Sequence, residues 1–347
     1  AVTLSLGQPA LAADQIERLA ERAPLDAIVA VDDGGTRAAA IASERLGLRG
    51  NPPDAVARAR DKAAMREVFE EAGVPQPEWR LGADPDAVGF PCVIKPLTRS
   101  GSQGVIRADT PQEAEAAAAR IRTILDDPQA ELLVERFVPG DEVAVEALLT
   151  EGQIEVLAVF DKPDSLDGPY FEETIYVTPS RKPTQVLEQV HVATAQAAAA
   201  LGLTDGPVHA EMRIGPRVTV LELAARSIGG LCSRSLRFGL GVSLEEVILR
   251  HALGLPPGHL RREDRASGVM MLPIPRAGTL NEVRGQDGAR AVEHIAGLEI
   301  SIARGKPVVP LPEGDRYLGF LFAKADTPEQ VEEALREAHA KLEVDIS

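Results

Sequence analysis

The sequence predicts a mixed protein, a short α/β portion at the N-terminus followed by α+β regions, and three stretches carry that expectation. Residues 25–31 (LDAIVAV) form a near-continuous apolar run between helical patterns at 14–23 and 36–46, the second ending near Gly47. Such a run reads as a strand buried on both faces, and it belongs to the one clear β-α unit, so the N-terminal sheet is expected to be short. Residues 91–254 read as a Gly/Ser-rich loop between strands, a helix over 111–125, four or more strands, an Ala-rich helix over 185–201, a hairpin and a helix over 243–253. Beyond Arg265 the chain returns to strands and Gly/Pro turns. It closes with a helix that Thr327 caps through Pro328-Glu329-Gln330 and that runs to Leu342. Two helices fill 53–73, the second containing Asp61-Lys62, and Pro75-Gln76-Pro77 then breaks the chain as a linker would. The expected division is a partial α/β domain over 1–58, a body over 59–264 with a small lid subdomain near 78–138, and an α+β domain over 265–347.

At 347 residues, 44% hydrophobic and 26% charged, the composition is that of an ordinary globular chain, large enough for roughly two to three domains. A formal net charge of -16 repels phosphate backbones and anionic lipid surfaces, which argues against nucleic acid or a membrane as main partner. Any phosphate ligand must be held locally. Cys92 and Cys232 are the two cysteines, too few for a disulfide framework and without metal-ligand spacing, and they suit a reducing compartment. No signal peptide and no unbroken apolar span of about twenty residues is evident, so a cytoplasmic protein is expected.

The most informative feature is the pair of segments 208–214 (VHAEMRI) and 217–226 (RVTVLELAAR). Strand alternation puts Val208, Ala210, Met212 and Ile214 on one side and His209, Glu211 and Arg213 on the other. In the second strand it assigns Thr219, Leu221, Leu223 and Ala225 to the apolar side and Val220, Glu222, Ala224 and Arg226 to the opposite one. With Gly215-Pro216 as a two-residue loop, Glu222 lies diagonal to Glu211; with Pro216 second in a turn opened by Gly215, the two acids face each other. Two adjacent carboxylates resist joint ionisation unless a cation lies between them, which points to a hard divalent metal, Mg²⁺ foremost. Arg213 as that cation, or a solvated charged hairpin, is the competing explanation.

Two further segments suggest a nucleotide. In residues 92–105 (CVIKPLTRSGSQGV) a strand delivers Lys95 to a Gly/Ser-rich loop, with a second strand starting near Gly104. Backbone N–H groups of such a loop can fold over a polyphosphate, although a plain turn explains it as well. Neither the Walker A pattern nor G-x-G-x-x-G is present. Residues 132–148 (LLVERFVPGDEVAVEAL) run strand, Pro-Gly turn, strand, with Glu135 and Glu142 around the turn. An edge strand ending at Phe137-Val138 would offer backbone groups and an apolar shelf to a purine, and a carboxylate such as Glu142 can accept both hydroxyls of a ribose. A hairpin with solvated acids is the alternative.

Taken in order, Lys62, Lys95 ahead of SGSQG, Glu135 and Glu142 in ERFVPGDE, Glu211 in HAEMRI and the block 222–230 (ELAARSIGG) resemble the ATP-grasp superfamily over nearly the whole chain. The resemblance implies the ATP-grasp fold and these roles: Lys62 and Lys95 on the ATP phosphates, Ser100, Gly101, Ser102, Gln103 and Gly104 as a phosphate lid, Glu135, Phe137 and Val138 at adenine, Glu142 at ribose, and Glu211 and Glu222 on Mg²⁺ or Mn²⁺. Many members have Glu-x-Asn-x-Arg where this chain has Glu222, Ala224 and Arg226, which leaves one metal ligand missing. That form with Gly229-Gly230, the stretch 170–181 (YFEETIYVTPSR) and the C-terminal RYLGFLFAKADTPEQVEEAL look like the L-amino acid ligases. In that family the N-terminal domain begins with a further β-α-β portion, so a truncated N-terminus is expected.

The implied chemistry is ADP-forming carboxylate-amine ligation through an acyl phosphate, joining a small carboxylate, an amino acid foremost, to an amine. Arg226, Gly229 and Gly230 would stabilise the charge that develops on the acyl phosphate and tetrahedral intermediate, unless Arg226 simply pairs with Glu222. Glu172, Glu173 and Arg181 are candidates to read substrate amino or carboxylate groups, and His209 to line the site. Another ATP-grasp ligase or a carboxylase, or a catalytically silent ATP-binding module, are the alternatives. The resemblance is compatible with a homodimer.

Overall fold

A computed structural model describes residues 1–82 and 84–347. The helices follow their sequence signals closely. Asp32 caps Asp33–Leu46 by accepting from Gly35 N, and Gly47 ends it in the left-handed conformation. Thr110 caps Pro111–Leu125 with Pro111 in the first turn, and Thr327 and Gln330 form a complete capping box on Pro328–Ala340. Asp61 caps Lys62–Ala72 through Ala63 N and Ala64 N. That cap separates it from Pro53–Arg60. The N-terminal helix is Pro9–Ala20, starting earlier than its apolar pattern suggests because Pro9 suits the first turn.

The expected strand at 25–31 is not one. Among the described residues nothing pairs with it, and without a ladder an apolar run is only extended chain. Its hydrophobicity serves packing between helices instead. Ile28 lies against Ala13, Ile16 and Ala42, whereas Val31 is exposed.

Two sheets frame the body. A four-stranded antiparallel sheet of Trp79–Leu81, Leu132–Arg136, Cys92–Pro96 and Ile106–Ala108, in that spatial order, is backed by helix Pro111–Leu125. Strand Leu132–Arg136 is therefore internal, paired on both sides, and not the edge strand the sequence suggested. An eight-stranded antiparallel sheet runs Ile295–Ile300, Gly319–Ala325, Ala266–Leu272, Ile175–Thr178, Gln153–Lys162, Asp141–Thr150, Gly206–Ile214, Val218–Ala224. Three of its strands come from beyond Arg265, so the sheet continues across that point. Among the described residues no helix is long and apolar enough to cross a membrane.

Alternation along the strands of this sheet sorts core from site. In Asp141–Thr150, Val143, Val145, Ala147 and Leu149 pack under the helices, while Glu142 and Glu146 share the opposite face with Ala144 and Leu148. In Gly206–Ile214, Val208, Ala210 and Met212 go to the same core and His209, Glu211 and Arg213 to the other side, as expected. The neighbouring strand differs from expectation. Ile214 pairs with Val218, leaving a three-residue loop, and a bulge at Leu221 then shifts the register so that Glu211 faces Glu222. Val218 and Val220 consequently lie in the core and Thr219 opposite Arg213, reversing the assignment of the strand's first half.

Gly140 precedes strand Asp141–Thr150 at φ +122°, where an added Cβ would overlap the Ile214 carbonyl. Gly140→Ala should therefore lower stability by about 2 kcal/mol, since strained positive φ and a backbone clash coincide. A urea denaturation midpoint equal to that of the unaltered protein would refute this.

Candidate active site

Between the two sheets and the segment that precedes strand Gly319–Ala325 lies a cavity of about 810 Å³. Of the residues singled out in the sequence, Lys62, Lys95, Ser100, Gly101, Ser102, Gln103, Glu135, Phe137, Val138, Glu142, Glu211, Glu222, Arg226, Gly229 and Gly230 line it, as do Glu173 and His209. Gly104 does not. It turns away at φ +71°, packed beside Pro96 and Ile121, with its N–H donated to the Pro312 carbonyl at 3.0 Å. Arg181 also lies elsewhere, paired with Asp161 (3.1 Å) and Glu332 (2.9 Å), and Glu172 is absent from the lining.

Lys62 and Lys95 are held by acids. Lys62 is buried, and its Nζ donates to the Arg99 carbonyl at 2.7 Å and pairs with Glu222 Oε2 at 3.1 Å. Lys95 Nζ pairs with Glu135 Oε2 at 2.7 Å, and the other oxygen of Glu135 takes Arg66 Nε, also at 2.7 Å. Glu135 is buried in this triad. Burial alone would raise its pKa, but Arg66 and Lys95 override that and hold it ionised. Both of its oxygens are thus engaged, by Lys95 and by Arg66, at the cavity wall. The Phe137 N–H is likewise engaged, by the Pro91 carbonyl at 3.0 Å. The Phe137 ring lies 4.4 Å from the Arg107 guanidinium carbon and 6.4 Å from the Phe171 ring centroid.

The floor is a carboxylate cluster around a lysine. Lys162 Nζ lies 2.6 Å from Glu142 Oε1, bonds Glu173, and is 3.5 Å from Glu211 Oε2. Arg213 takes the second oxygen of Glu142 at 2.8 Å, so Arg213 is not the partner of Glu211. His209 lies between Glu146 (2.5 Å from Nδ1) and Glu211 (3.3 Å from Nε2). Burial would lower its pKa, yet Glu146 and then Glu211 raise it to about 9, giving an imidazolium at neutral pH. Lys162 and His209 together hold Glu211 well below the usual carboxylate range despite its burial. Glu142, Glu173 and Glu211 each offer an oxygen within 4.8 Å of the others. Glu211 and Glu222 are register partners whose half-buried carboxylates face the cavity. Paired hard oxygen donors of this kind suit Mg²⁺ or Mn²⁺.

Arg226 does not pair with Glu222. Its Nη2 reaches Asp33 Oδ2 at 2.8 Å and its Nη1 the Ser227 carbonyl at 2.9 Å. Ile228 N, two residues on, donates to Glu146 at 3.1 Å, which fixes the approach to Gly229 and Gly230. Sequence reasoning missed Asp33, Arg66, Glu146 and Lys162. Arg66 carried a readable signal, a charge on the buried stripe of helix Lys62–Ala72 between Met65 and Phe69. Glu146 carried one too, as it repeats the facing of Glu142 two pairs along the strand. Asp33 and Lys162 offered none, since only the fold brings them to the cavity.

Removing Glu135 strands two buried cations. Glu135→Ala should cost about 3–5 kcal/mol, read as a urea-denaturation shift; a loss under about 1 kcal/mol would show the triad to be open to water.

Comparison with known proteins supplies a context for this geometry. Residues 88–235 match the ATP-grasp domain family and residues 270–347 the L-amino acid ligase C-terminal domain 2 family. An uncharacterised protein of Sinorhizobium fredii is 26% identical over 315 residues, covering 86% of this chain and 64% of that protein. Alanine–anticapsin ligase of Bacillus subtilis is 26% identical over 265 residues, covering 68% of this chain and 56% of the relative. The chain thus spans less than two thirds of the length of these relatives. The crystal structure of an L-amino acid ligase from Bacillus licheniformis superposes with a TM-score of 0.87 at 25% identity, covering all of this chain and 88% of that one.

Proposed function

From a chain that belongs to the ATP-grasp proteins and carries the L-amino acid ligase C-terminal domain, we propose an ADP-forming carboxylate-amine ligase that makes an amide or dipeptide bond through an acyl phosphate. The observation that carries this reading is the convergence on one cavity of Lys62, Lys95, Glu211, Glu222 and Arg226, drawn from two sheets and a helix. The likeness to ligases that act on amino acids supports an amino acid as acyl donor, with a small amine or second amino acid as acceptor.

Lys62 and Lys95 bind the phosphates of ATP, and residues 100–103 close over them with backbone N–H groups. Glu142 keeps a free lone pair on each oxygen beside its bonds to Lys162 and Arg213, enough to accept ribose hydroxyls. Val138 and the backbone of 136–138 give the base an apolar shelf. Glu211 and Glu222 would hold Mg²⁺ or Mn²⁺, which when bound neutralises charge on the β- and γ-phosphates. The donor carboxylate oxygen attacks the γ-phosphorus, the bond to ADP breaks, and an acyl phosphate forms. The amine then attacks the acyl carbon, inorganic phosphate leaves with the electron pair of the broken C–O bond, and the surplus proton of the amine passes to the departing phosphate. Arg226 and the N–H groups at Gly229 and Gly230 oppose the charge that builds on the transferring groups. Glu173, beside Tyr176 and Lys162, is placed to take the ammonium of an amino acid. The buried thiols of Cys92 and Cys232 suit work in a reducing cytoplasm.

Phosphate should be released from ATP only with a divalent ion and a suitable carboxylate present, and mass spectrometry should find amides when amino acids and small amines are supplied together. Bicarbonate-stimulated ADP formation with no amide would replace this reading with a carboxylase. Glu222→Gln should remove most turnover while leaving the fold intact, and full activity would sink the metal assignment. Amide exchange at residues 100–103 should slow when ATP is added; equal protection in both states would make that loop a plain turn.

A further inference from the structure

We infer that Asp33 is a positioning residue for Arg226, so that the N-terminal segment contributes to the reaction site through one carboxylate. The inference rests on the ligase reading above, and on geometry of its own. Arg226 follows the end of strand Val218–Ala224, in a bend that no sheet ladder holds. One arm of its guanidinium bonds the carbonyl of the very next residue, a local contact that moves with the loop. The long-range tie is to Asp33, 193 positions away in the sequence. Both groups are largely buried at the cavity wall, where residues 31–34 lie beside Lys62, Glu222 and Gly229.

The surroundings give that tie something to decide. Glu222 and Glu146 are both near enough to attract Arg226, and Arg60 and Lys62 both act on Asp33. Without Asp33 the guanidinium has two other carboxylates to turn to, and Glu222 is the one already occupied by Lys62 and proposed for the metal. The Asp33–Arg226 and Lys62–Glu222 pairs keep these four charges in a fixed order. Burial raises the Asp33 pKa, but Arg226 more than compensates and keeps the carboxylate ionised. Its place in the first turn of helix Asp33–Leu46, which Asp32 caps, favours the same charge state and fixes where the side chain starts. A guanidinium has to be oriented, not merely nearby, to meet two oxygens at once. The assembly from N-cap to carboxylate to guanidinium supplies that orientation from outside the ATP-grasp sheet.

The test uses the full chain, ATP with Mg²⁺, and a pool of the twenty common amino acids, reading phosphate release, binding of a fluorescent ATP analogue and thermal stability. Asp33→Asn and Asp33→Ala should lower kcat roughly tenfold or more with nucleotide affinity within about twofold, and Asp33→Glu should recover part of the loss. Arg226→Ala should be at least as impaired, and Asp33→Ala combined with Arg226→Ala no worse than Arg226→Ala alone, because the carboxylate acts through the guanidinium. Full turnover by a folded Asp33→Asn, with Arg226→Ala impaired, overturns the inference and leaves the ligase reading standing. Multiplying losses in the double variant overturn it as well, and so does a kcat loss in Asp33→Asn that merely tracks lost stability. No phosphate release by the unaltered protein, or full activity of Arg226→Ala, defeats the reading on which the inference rests.

Discussion

Glu135 ties three parts of the molecule together at one carboxylate. It sits on an internal strand of the four-stranded sheet, Lys95 on the neighbouring strand, and Arg66 on helix Lys62–Ala72, whose guanidinium also bonds the Leu221 carbonyl in the bulge of the large sheet. Desolvating one acid and two bases is expensive, and their attraction offsets that cost only while all three stay in place. The helix is therefore obliged to keep one rotation, and Lys62, one turn before Arg66, is delivered to the cavity with it. The four-stranded sheet inherits its placement from the same contact. A hydrophobic junction of similar area would permit sliding that this one does not.

The cavity is lined by charges that already have partners, which sets the terms on which a polyanionic ligand can enter. Lys62 is on Glu222, Lys95 on Glu135, Lys162 among Glu142, Glu173 and Glu211, and Arg226 on Asp33. Phosphates that draw Lys62 away leave Glu222 without a counter-ion, and a divalent ion arriving with the nucleotide would restore the balance. With the roles proposed for Lys62 and Glu222, nucleotide and metal would be linked through one lysine, with neither favoured to bind alone. Lys95 is different. Its ammonium has three donors, so it can keep its bond to Glu135 and still meet a phosphate.

What the sequence disclosed and what it hid follow from the range of the interactions. The cap at Thr327 and the helix end at Gly47 are local and were readable, as was the facing of His209, Glu211 and Arg213 by strand alternation. The direct opposition of Glu211 and Glu222 was one of two expected registers, but it arises from a bulge at Leu221, which no local residue preference announces. Residues 25–31 had the composition of a buried strand and lack the one thing composition cannot supply, a neighbouring strand. Of the cavity-lining residues, His209 and Glu211 follow from strand alternation, whereas Lys62, Arg226, Gly229 and Gly230 were reached through the ATP-grasp resemblance. Their partners, Asp33 and Lys162, come from segments tens to hundreds of positions away and carry no pattern of their own.

The C-terminal region has a part in the site that its place in the sequence does not suggest. Its strands complete the large sheet, and the segment before Gly319–Ala325 bends back over the lid: the Pro312 carbonyl accepts from Gly104 N, the Glu313 carbonyl from the Gln103 side chain at 2.8 Å, and the Glu313 carboxylate from Arg120 of helix Pro111–Leu125 at 2.5 Å. Residues 315–317, directly following, line the cavity, and the Tyr317 hydroxyl lies 3.5 Å from Glu173. One short stretch thus touches the proposed phosphate loop at one end and the proposed amino-acid end of the cavity at the other. The Arg120 pair is exposed and adds little stability by itself, so this contact can open and re-form at small cost, unlike the buried triad beneath it. Rigidity at Glu135 and looseness at Glu313 divide the four-stranded sheet and its helix between a fixed base, which keeps Lys95 in register, and a more weakly held tip.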